Sequence, residues 1–235
     1  AATGKGSAEL AAAFPQARVV AIDRSLPMLE RTQARCADVG RVAALAGDAE
    51  RLPLADNSAD LIFANLILPW CAPESVFGEA ARVLREGGLL SFTTVGPDTL
   101  AEVRRAWADI DDAIHVHGFI DMHDIGDLAL RAGLAEPVMD VDTLQVTYRD
   151  LASLVADLRA CGATNVAAGR RTTLTGRARL AAFREALHAT RSAGRFEVTV
   201  ELMFGQAWGG GAQRTNERGE AVISMEEMER LLKRD

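Results

Sequence analysis

Thr3-Gly4-Lys5-Gly6-Ser7, running through Ala8-Glu9-Leu10-Ala11-Ala12-Ala13-Phe14 to Arg18-Val19-Val20-Ala21-Ile22-Asp23, is the stretch whose reading decides the fold. A small-residue loop opens a helix-like segment from Ala8 to Phe14, and Arg18 to Ile22 reads as a buried parallel strand ended by Asp23. Glycines let backbone approach a ligand, and a helix start offers unpaired N–H groups. A carboxylate about 20 residues further on can accept both hydroxyls of a ribose. Gly4 and Asp23 fit that spacing. The next unit repeats the logic, with Arg41 to Ala46 as a strand and Gly47-Asp48-Ala49-Glu50 at its carboxyl end. Acids at neighbouring strand ends suit a ribose and an adenine amino group. The chain opens inside this loop with no strand before it, which leads us to expect an upstream segment.

Outward from there, Ser25 is placed to cap a helix to about Cys36, with Pro27 in its first turn where the missing N–H costs nothing. This puts Arg24 beside Asp23 at a strand-to-helix turn. Ala59 to Ala64 is the next buried strand, and Asn65 at its end faces the same crevice as the acids. From Pro73 the apolar positions Val76, Phe77, Ala80, Val83 and Leu84 share one helical face, which Gly87-Gly88 is expected to stop. Leu89 to Thr94 is a further strand. Alternation of strand and helix to this point predicts a parallel sheet covered on both faces.

Beyond Gly96-Pro97 the pattern changes. Helices are expected from Asp98 to about Ala108 and from Asp121 to Ala132, then an alternating strand within 136–148. Two helix-like segments, Asp150 to Cys161 and Gly176 to Arg191, flank a loop rich in Gly, Thr and Arg and read as a cap. Phe196, Val198, Val200, Leu202 and Phe204 alternate with polar residues and Met203, the period of a half-buried antiparallel strand. The expected architecture is α/β: a Rossmann-like sheet, mostly parallel with one antiparallel strand, from 1–148 and 195–208, a helical cap over 149–194, and a tail over 209–235. In the tail Met225, Met228 and Leu232 suggest a short amphipathic helix.

Composition sets limits. With 235 residues and 49% hydrophobic content the chain can bury one sizeable core with an appended cap. A formal charge of -7 argues against a general nucleic-acid binder. Cys36, Cys71 and Cys161 lie far apart without CxxC spacing, so neither a disulfide framework nor a metal site is expected. No apolar run approaches the ~20 residues of a bilayer span, and no secretion signal is evident. These features predict a soluble chain in a reducing cytoplasm.

The chain carries a family resemblance. Residues 47–54 (Gly-Asp-Ala-Glu-Arg-Leu-Pro-Leu), 59–66 (Ala-Asp-Leu-Ile-Phe-Ala-Asn-Leu) and 79–88 (Glu-Ala-Ala-Arg-Val-Leu-Arg-Glu-Gly-Gly) resemble the middle motifs of class I methyltransferases. An antiparallel strand at the end of the sheet agrees with that class and not with dehydrogenases. Gly-Pro-Asp-Thr-Leu at 96–100, His-Val-His-Gly-Phe-Ile-Asp-Met-His-Asp-Ile-Gly-Asp at 115–127 and Phe-Gly-Gln-Ala-Trp at 204–208 are similar to the malonyl-acyl-carrier-protein O-methyltransferases of biotin synthesis. Three departures are visible: the family's first strand and its acid are absent, Ala2 stands where the loop usually has another Gly, and Gln206 where a His is common.

The resemblance implies S-adenosylmethionine as cofactor. It implies Asp23 on the ribose with Arg24 alongside, Asp48 and Ala49 at the adenine, the Gly4 loop at the methionine end, and Asn65 beside the sulfonium. The implied acceptor is malonyl-acyl carrier protein or malonyl-CoA. His115 and His117 are candidates to orient the malonyl group, Trp70 and Trp208 to wall the site. Arg170, Arg171, Arg177, Arg179 and Arg184 concentrate in the cap of an acidic chain and are placed to steer an acidic carrier protein. Plainer readings stand beside these: the acids as helix caps, the histidines as surface groups or, with His123, a metal site, the tryptophans as packing, Asn65 as a turn residue, and the arginines as a solvated helix face. The fold would also suit a methyltransferase acting on another small acid or a protein side chain, or a non-catalytic assembly module.

Overall fold

The computed structural model describes residues 1–165, 167, 169–189 and 194–210, with the backbone alone of 214–215 and 221–222. The first unit is α1 (Lys5–Ala13), β1 (Val19–Asp23), α2 (Leu26–Arg35) and β2 (Val42–Ala46). β1 and β2 form a parallel ladder in which Asp23 pairs with Ala46. The helix begins at Lys5, earlier than the expected Ala8, because Gly4 takes a left-handed φ of 77° and turns the chain straight into it. Ser25 occupies the N-cap of α2, but its side chain makes no cap bond. Its amide is taken by Asp23 instead, at 2.9 Å. The expectation of buried strands fails here: only Ala21 of β1 is buried and no residue of β2 is. This ladder is two-stranded, so each strand keeps one unpaired edge among the described residues.

The second sheet has four strands in the order β3-β4-β6-β5. They are β3 (Ala59–Asn65), β4 (Leu84–Val95), β5 (Ala135–Tyr148) and β6 (Phe196–Trp208). β3 runs parallel to β4, and β6 is antiparallel to both β4 and β5. The single reversed strand expected from the sequence is therefore β6. Between β3 and β4 lie a 3-10 turn, Leu68–Trp70, and α3 (Pro73–Val83).

α3 ends at Val83, not at Gly87-Gly88. The amides of Asn57 and Ser58 take the carbonyls of Arg82 and Val83 at 3.0 and 2.8 Å, and Leu84 is already extended opposite Ala59. The glycine pair instead lets chains cross, with Gly87 and Gly88 exchanging backbone hydrogen bonds with Gly209. α4 (Ala101–Ala108) likewise starts later than expected, after a left-handed Leu100. α5 (Met122–Arg131) is capped by Asp121 and α6 (Leu151–Ala160) by Asp150, each carboxylate accepting a first-turn amide. α7 covers Arg177–Ala189.

β5 and β6 are longer than the part β4 pairs, and this builds two cores. β4 meets only Leu202–Trp208 of β6, so the Phe196–Glu201 half projects beyond it with the partner end of β5. One cluster packs Phe77, Ala80, Leu90, Phe92, Ile125 and Met203 between α3, α5 and the sheet. The other packs Trp107, Leu154, Phe183, Leu187, Phe196 and Val198 between α4, α6, α7 and the projecting half. The buried face of β6 changes parity between them: Phe196 and Val198 are buried in one half, Met203, Gly205 and Ala207 in the other. Phe204, read from its alternation as facing inward, is consequently 43% exposed. Ala221–Val222 form a short ladder with Arg214–Thr215 (β8 and β7). The expected tail helix around Met225, Met228 and Leu232 lies outside the described residues. No helix among the described residues is long and apolar enough to cross a membrane.

Candidate active site

The carboxyl ends of β1, β2 and β3 gather the residues singled out as cofactor contacts. Asp23 ends β1, and its carbonyl accepts the Gly47 amide at 3.1 Å, which draws the Gly47-Asp48 turn alongside. Arg24, next after Asp23, reaches the second acid, its guanidinium 3.5 Å from Asp48. Asp48 Oδ1 also accepts the Glu50 amide at 3.0 Å. Gly6, at the start of α1, brings that helix against β3, since a Cβ there would sit 3.4 Å from the Phe63 ring. At the end of β3, Asn65 Oδ1 accepts the Thr93 hydroxyl at 2.5 Å.

The glycine loop is held from behind by α2. A Cβ on Gly4 would stand 2.8 Å from Thr32 Cα. Thr32, fully buried, donates to the carbonyls of Met28 and Ala2 at 3.0 and 3.1 Å, and Arg35 donates to the Thr3 carbonyl at 2.8 Å. The loop is thus a shaped backbone turn leading into a helix whose first-turn amides lack intrahelical partners.

Of the two strand-end acids, Asp23 is the better connected. Oδ1 accepts the Ser25 amide at 2.9 Å and Oδ2 the Ala2 amide at 2.7 Å. Burial raises its pKa, but these donors outweigh burial and hold the carboxyl below the ordinary carboxylate range. An ionised carboxylate has about four acceptor positions, so beside the Ser25 and Ala2 amides one position on each oxygen suits a ribose diol. The residues present fit the nucleoside of S-adenosylmethionine: Asp23 could accept a ribose diol and Asp48 an amino group, beside a glycine-turned helix start.

A second network fixes the loop after Asp48, and sequence reasoning assigned it no role. Arg82 on α3 donates to the carbonyls of Leu52 and Leu54 at 3.0 and 2.8 Å, and pairs with Glu79 and Asp56 at 2.6 and 2.7 Å. Glu79 accepts the Leu52 amide at 2.6 Å. Hydrogen bonding to Glu79 and then Asp56 pushes the guanidinium pKa further up, while hydrogen bonding to Arg82 holds Glu79 down. The available signal was an acid and a base three apart on one helix. Arg82→Leu is expected to weaken S-adenosylhomocysteine binding roughly tenfold by freeing this loop, measured by calorimetry. Unchanged affinity would confine Arg82 to stability.

Beside this crevice is a cavity of about 130 Å³ lined by Leu68, Pro69, Cys71, Thr94, Val95, His117 and Phe119 among others. It lies past the carboxyl ends of β3 and β4, and Asn65 is not among its lining residues. Burial, then Glu50 and Asp48, raise the Cys71 thiol pKa, which keeps it protonated. Of the residues proposed for the acceptor, His117 lines this cavity. Trp70 shares the 3-10 turn with Leu68 and Pro69 and is 55% exposed.

Two expectations are corrected. Trp208 pairs with Leu89 while Phe204 pairs with Thr93, the partner of Asn65, so Trp208 stands at the opposite end of the sheet. Four strand residues put it about 13 Å from that level. His115 lies in the cap, stacked on Trp107 with ring centroids 3.7 Å apart and hydrogen-bonded to Asp111 at 2.7 Å. That bond, partly offset by burial, holds the Asp111 carboxyl below its ordinary range. His123 pairs with Asp121 on an exposed helix start, apart from the cavity lining. The arginines divide: Arg171 and Arg179 turn to Asp111 at 3.6 and 4.0 Å, whereas Arg170, Arg177 and Arg184 are exposed.

Parallel α/β ladders, a four-stranded sheet with one late antiparallel strand, a glycine turn into a helix and acids at successive strand ends fit one class: the protein is an S-adenosylmethionine-dependent methyltransferase. Residues 1–92 match the family described as methyltransferase domain. The YcgJ protein of Bacillus subtilis shares the fold, with TM-score 0.60 and 17% identity over 88% of this chain and 89% of that one. A malonyl-acyl-carrier-protein O-methyltransferase from Gallionella capsiferriformans is 41% identical, covering 94% of this chain and 78% of its own length. One from Laribacter hongkongensis is 42% identical, covering 88% and 72%. The chain belongs to the malonyl-acyl-carrier-protein O-methyltransferase family.

Proposed function

We propose that the protein methylates the free carboxylate of malonyl-acyl carrier protein, masking its charge so that the acyl group can enter biotin synthesis through chain-elongating enzymes built for apolar chains. The observation that carries this reading is the small cavity of mixed polarity with His117 and Cys71 in its wall, set past the strand ends, where Glu50 and Asp48 act on Cys71. In this reading Asp23, with Arg24 alongside, holds the ribose. Asp48 and Ala49 hold the adenine, the Gly4 loop the methionine end, and Asn65 the region beside the sulfonium. Bound S-adenosylmethionine supplies a sulfonium methyl open to in-line attack.

No general base is required. A malonyl carboxylate, with a reference pKa like that of Asp at ~3.9, is ionised at neutral pH. The protein's contribution is alignment and exclusion of water. Leu68, Val95 and Phe119 supply apolar wall, His117 orients the carboxylate, and Trp70 is placed to cover the approach. The carrier, an acidic partner, docks on exposed Arg170, Arg177 and Arg184 of the cap.

Intact mass of malonyl-loaded carrier protein after incubation with S-adenosylmethionine tests the acceptor, with acetyl-loaded carrier as control. One added methyl on the malonyl form alone is expected; cofactor binding without transfer would overturn the reading. For docking, charge reversal of Arg170 and Arg177 to Glu should lower kcat/KM about tenfold for malonyl carrier protein and little for malonyl-CoA. An equal loss on both would remove the carrier from that face.

A further inference from the structure

The segment from Ile114 to Ile120 is shared by two parts of the molecule. At one end it is fastened into the cap. The Ile114 amide donates to the Gly169 carbonyl at 3.3 Å, and its own carbonyl accepts the Asn165 side-chain amide at 2.5 Å. His115 lies flat on Trp107, which stacks on Phe183 of α7 at 4.5 Å. Val116 is buried in the same cluster. At the other end His117, Gly118, Phe119 and Ile120 line the acceptor cavity.

Asp111 is the group that ties the fastened end together. Its side chain is 10% exposed; Oδ1 bonds His115, and Oδ2 faces Arg171 of the arginine-bearing loop and Arg179 of α7. Among the described residues Oδ2 accepts no hydrogen bond, nor does the buried Nε of Arg171 find an acceptor. The carboxylate therefore acts on the two guanidinium groups through charge rather than through fitted hydrogen bonds, holding loop, helix and strap by one counter-ion.

We infer that Asp111 and His115 are positioning residues for the methyl acceptor: anchored in the cap, they set where His117 and Phe119 stand in the cavity. This rests on the function proposed above. Only Val116 separates His115 from His117, and consecutive Cα atoms are fixed at 3.80 Å, so a shift at the anchor is passed along the strap. A misplacement of about 1 Å at a reacting pair can cost about a hundredfold.

The test uses His115→Phe, which keeps a flat ring on Trp107 but loses the bond to Asp111, and Asp111→Asn, which keeps the shape but loses the charge. Both should lower kcat/KM for malonyl carrier protein about tenfold, mainly through kcat, with S-adenosylhomocysteine affinity unchanged. The imidazole resonances of His117, one of four histidines, should move in both variants. Wild-type kinetics, a parallel loss of cofactor affinity, or unmoved His117 resonances with only a lower melting temperature would overturn the inference. If the unaltered protein methylates no malonyl carrier, the proposed function fails instead, and the His117 resonances still decide whether the strap is set by Asp111.

Discussion

Asp23→Ala reduces the affinity for S-adenosylhomocysteine by at least about a hundredfold. A carboxylate that accepts both ribose hydroxyls makes two hydrogen bonds to a charged acceptor, each worth about 1.5–3 kcal/mol, and every 1.4 kcal/mol is about tenfold in Kd. The same carboxylate also accepts the Ser25 and Ala2 amides, so some loosening at the start of α2 is expected. It should remain local, because Thr32 and Arg35 independently hold the Ala2 and Thr3 carbonyls. Calorimetry on the variant, with its far-ultraviolet circular dichroism as a check on folding, separates the two effects. Retained affinity would remove Asp23 from the site. The pH dependence has a definite sign. The folded carboxyl is held below its ordinary value. Its contribution to stability is therefore complete above the unfolded value of ~3.9 and is lost as pH falls through the lower folded value. The ionised form needed by a ribose persists over the same range.

That such a test could be framed from the sequence reflects where local signals are strong. A glycine turn, a strand and an acid at fixed spacing are all encoded within one short unit. Gly4, Asp23, Asp48 and Asn65 accordingly fall at neighbouring element ends. The reversed β6 was legible too, since its period of two needs no tertiary information. Its buried face was not. The switch from Phe196 and Val198 to Met203 and Ala207 depends on which layers meet each half of the strand. The end of α3 was misplaced for a related reason. Gly87-Gly88 is a strong local stop, but the Asn57 and Ser58 amides from a distant loop reach the last carbonyls first.

The acceptor region was less legible because its partners are remote in sequence. His115 and His117 look equivalent in a His-Val-His run, yet one packs on Trp107 and the other lines the cavity. Residues i and i+2 of a regular strand would share one side, but the stretch around them is irregular, and nothing local says that the two rings part. Asp111 sits in an acidic Asp-Ile-Asp-Asp stretch that reads as solvated loop, and it became visible only with Arg171 and Arg179 beside it. Trp208 was assigned to the site by its motif. An antiparallel strand carries its carboxyl end to the far edge of the sheet, so the motif could not deliver it to the crevice.

Gly205→Ala is expected to destabilise the protein by about 3 kcal/mol, at the upper end of ordinary overpacking in a core. Gly205 lies directly opposite Phe92 in the β4–β6 ladder. A Cβ there would run into the Phe92 ring, at Cζ and at both Cε atoms. The ring therefore crosses over the glycine, and it has nowhere to go: Phe92 is 1% exposed and packs against Phe77, itself fully buried, at 5.2 Å. Either the ring leaves its rotamer or the strands separate, and both disturb the part of β4 that ends in the cavity-lining Thr94 and Val95. Urea denaturation of Gly205→Ala, Phe92→Leu and the double variant checks this. A smaller side chain at 92 makes room for the methyl, so the double variant should be more stable than the sum of the single losses by about 1 kcal/mol or more. A loss within about 0.5 kcal/mol for Gly205→Ala, the size of an ordinary surface change, would mean that the strand pair can open at little cost. It would then be a poor support for a cavity that must hold an acceptor in line.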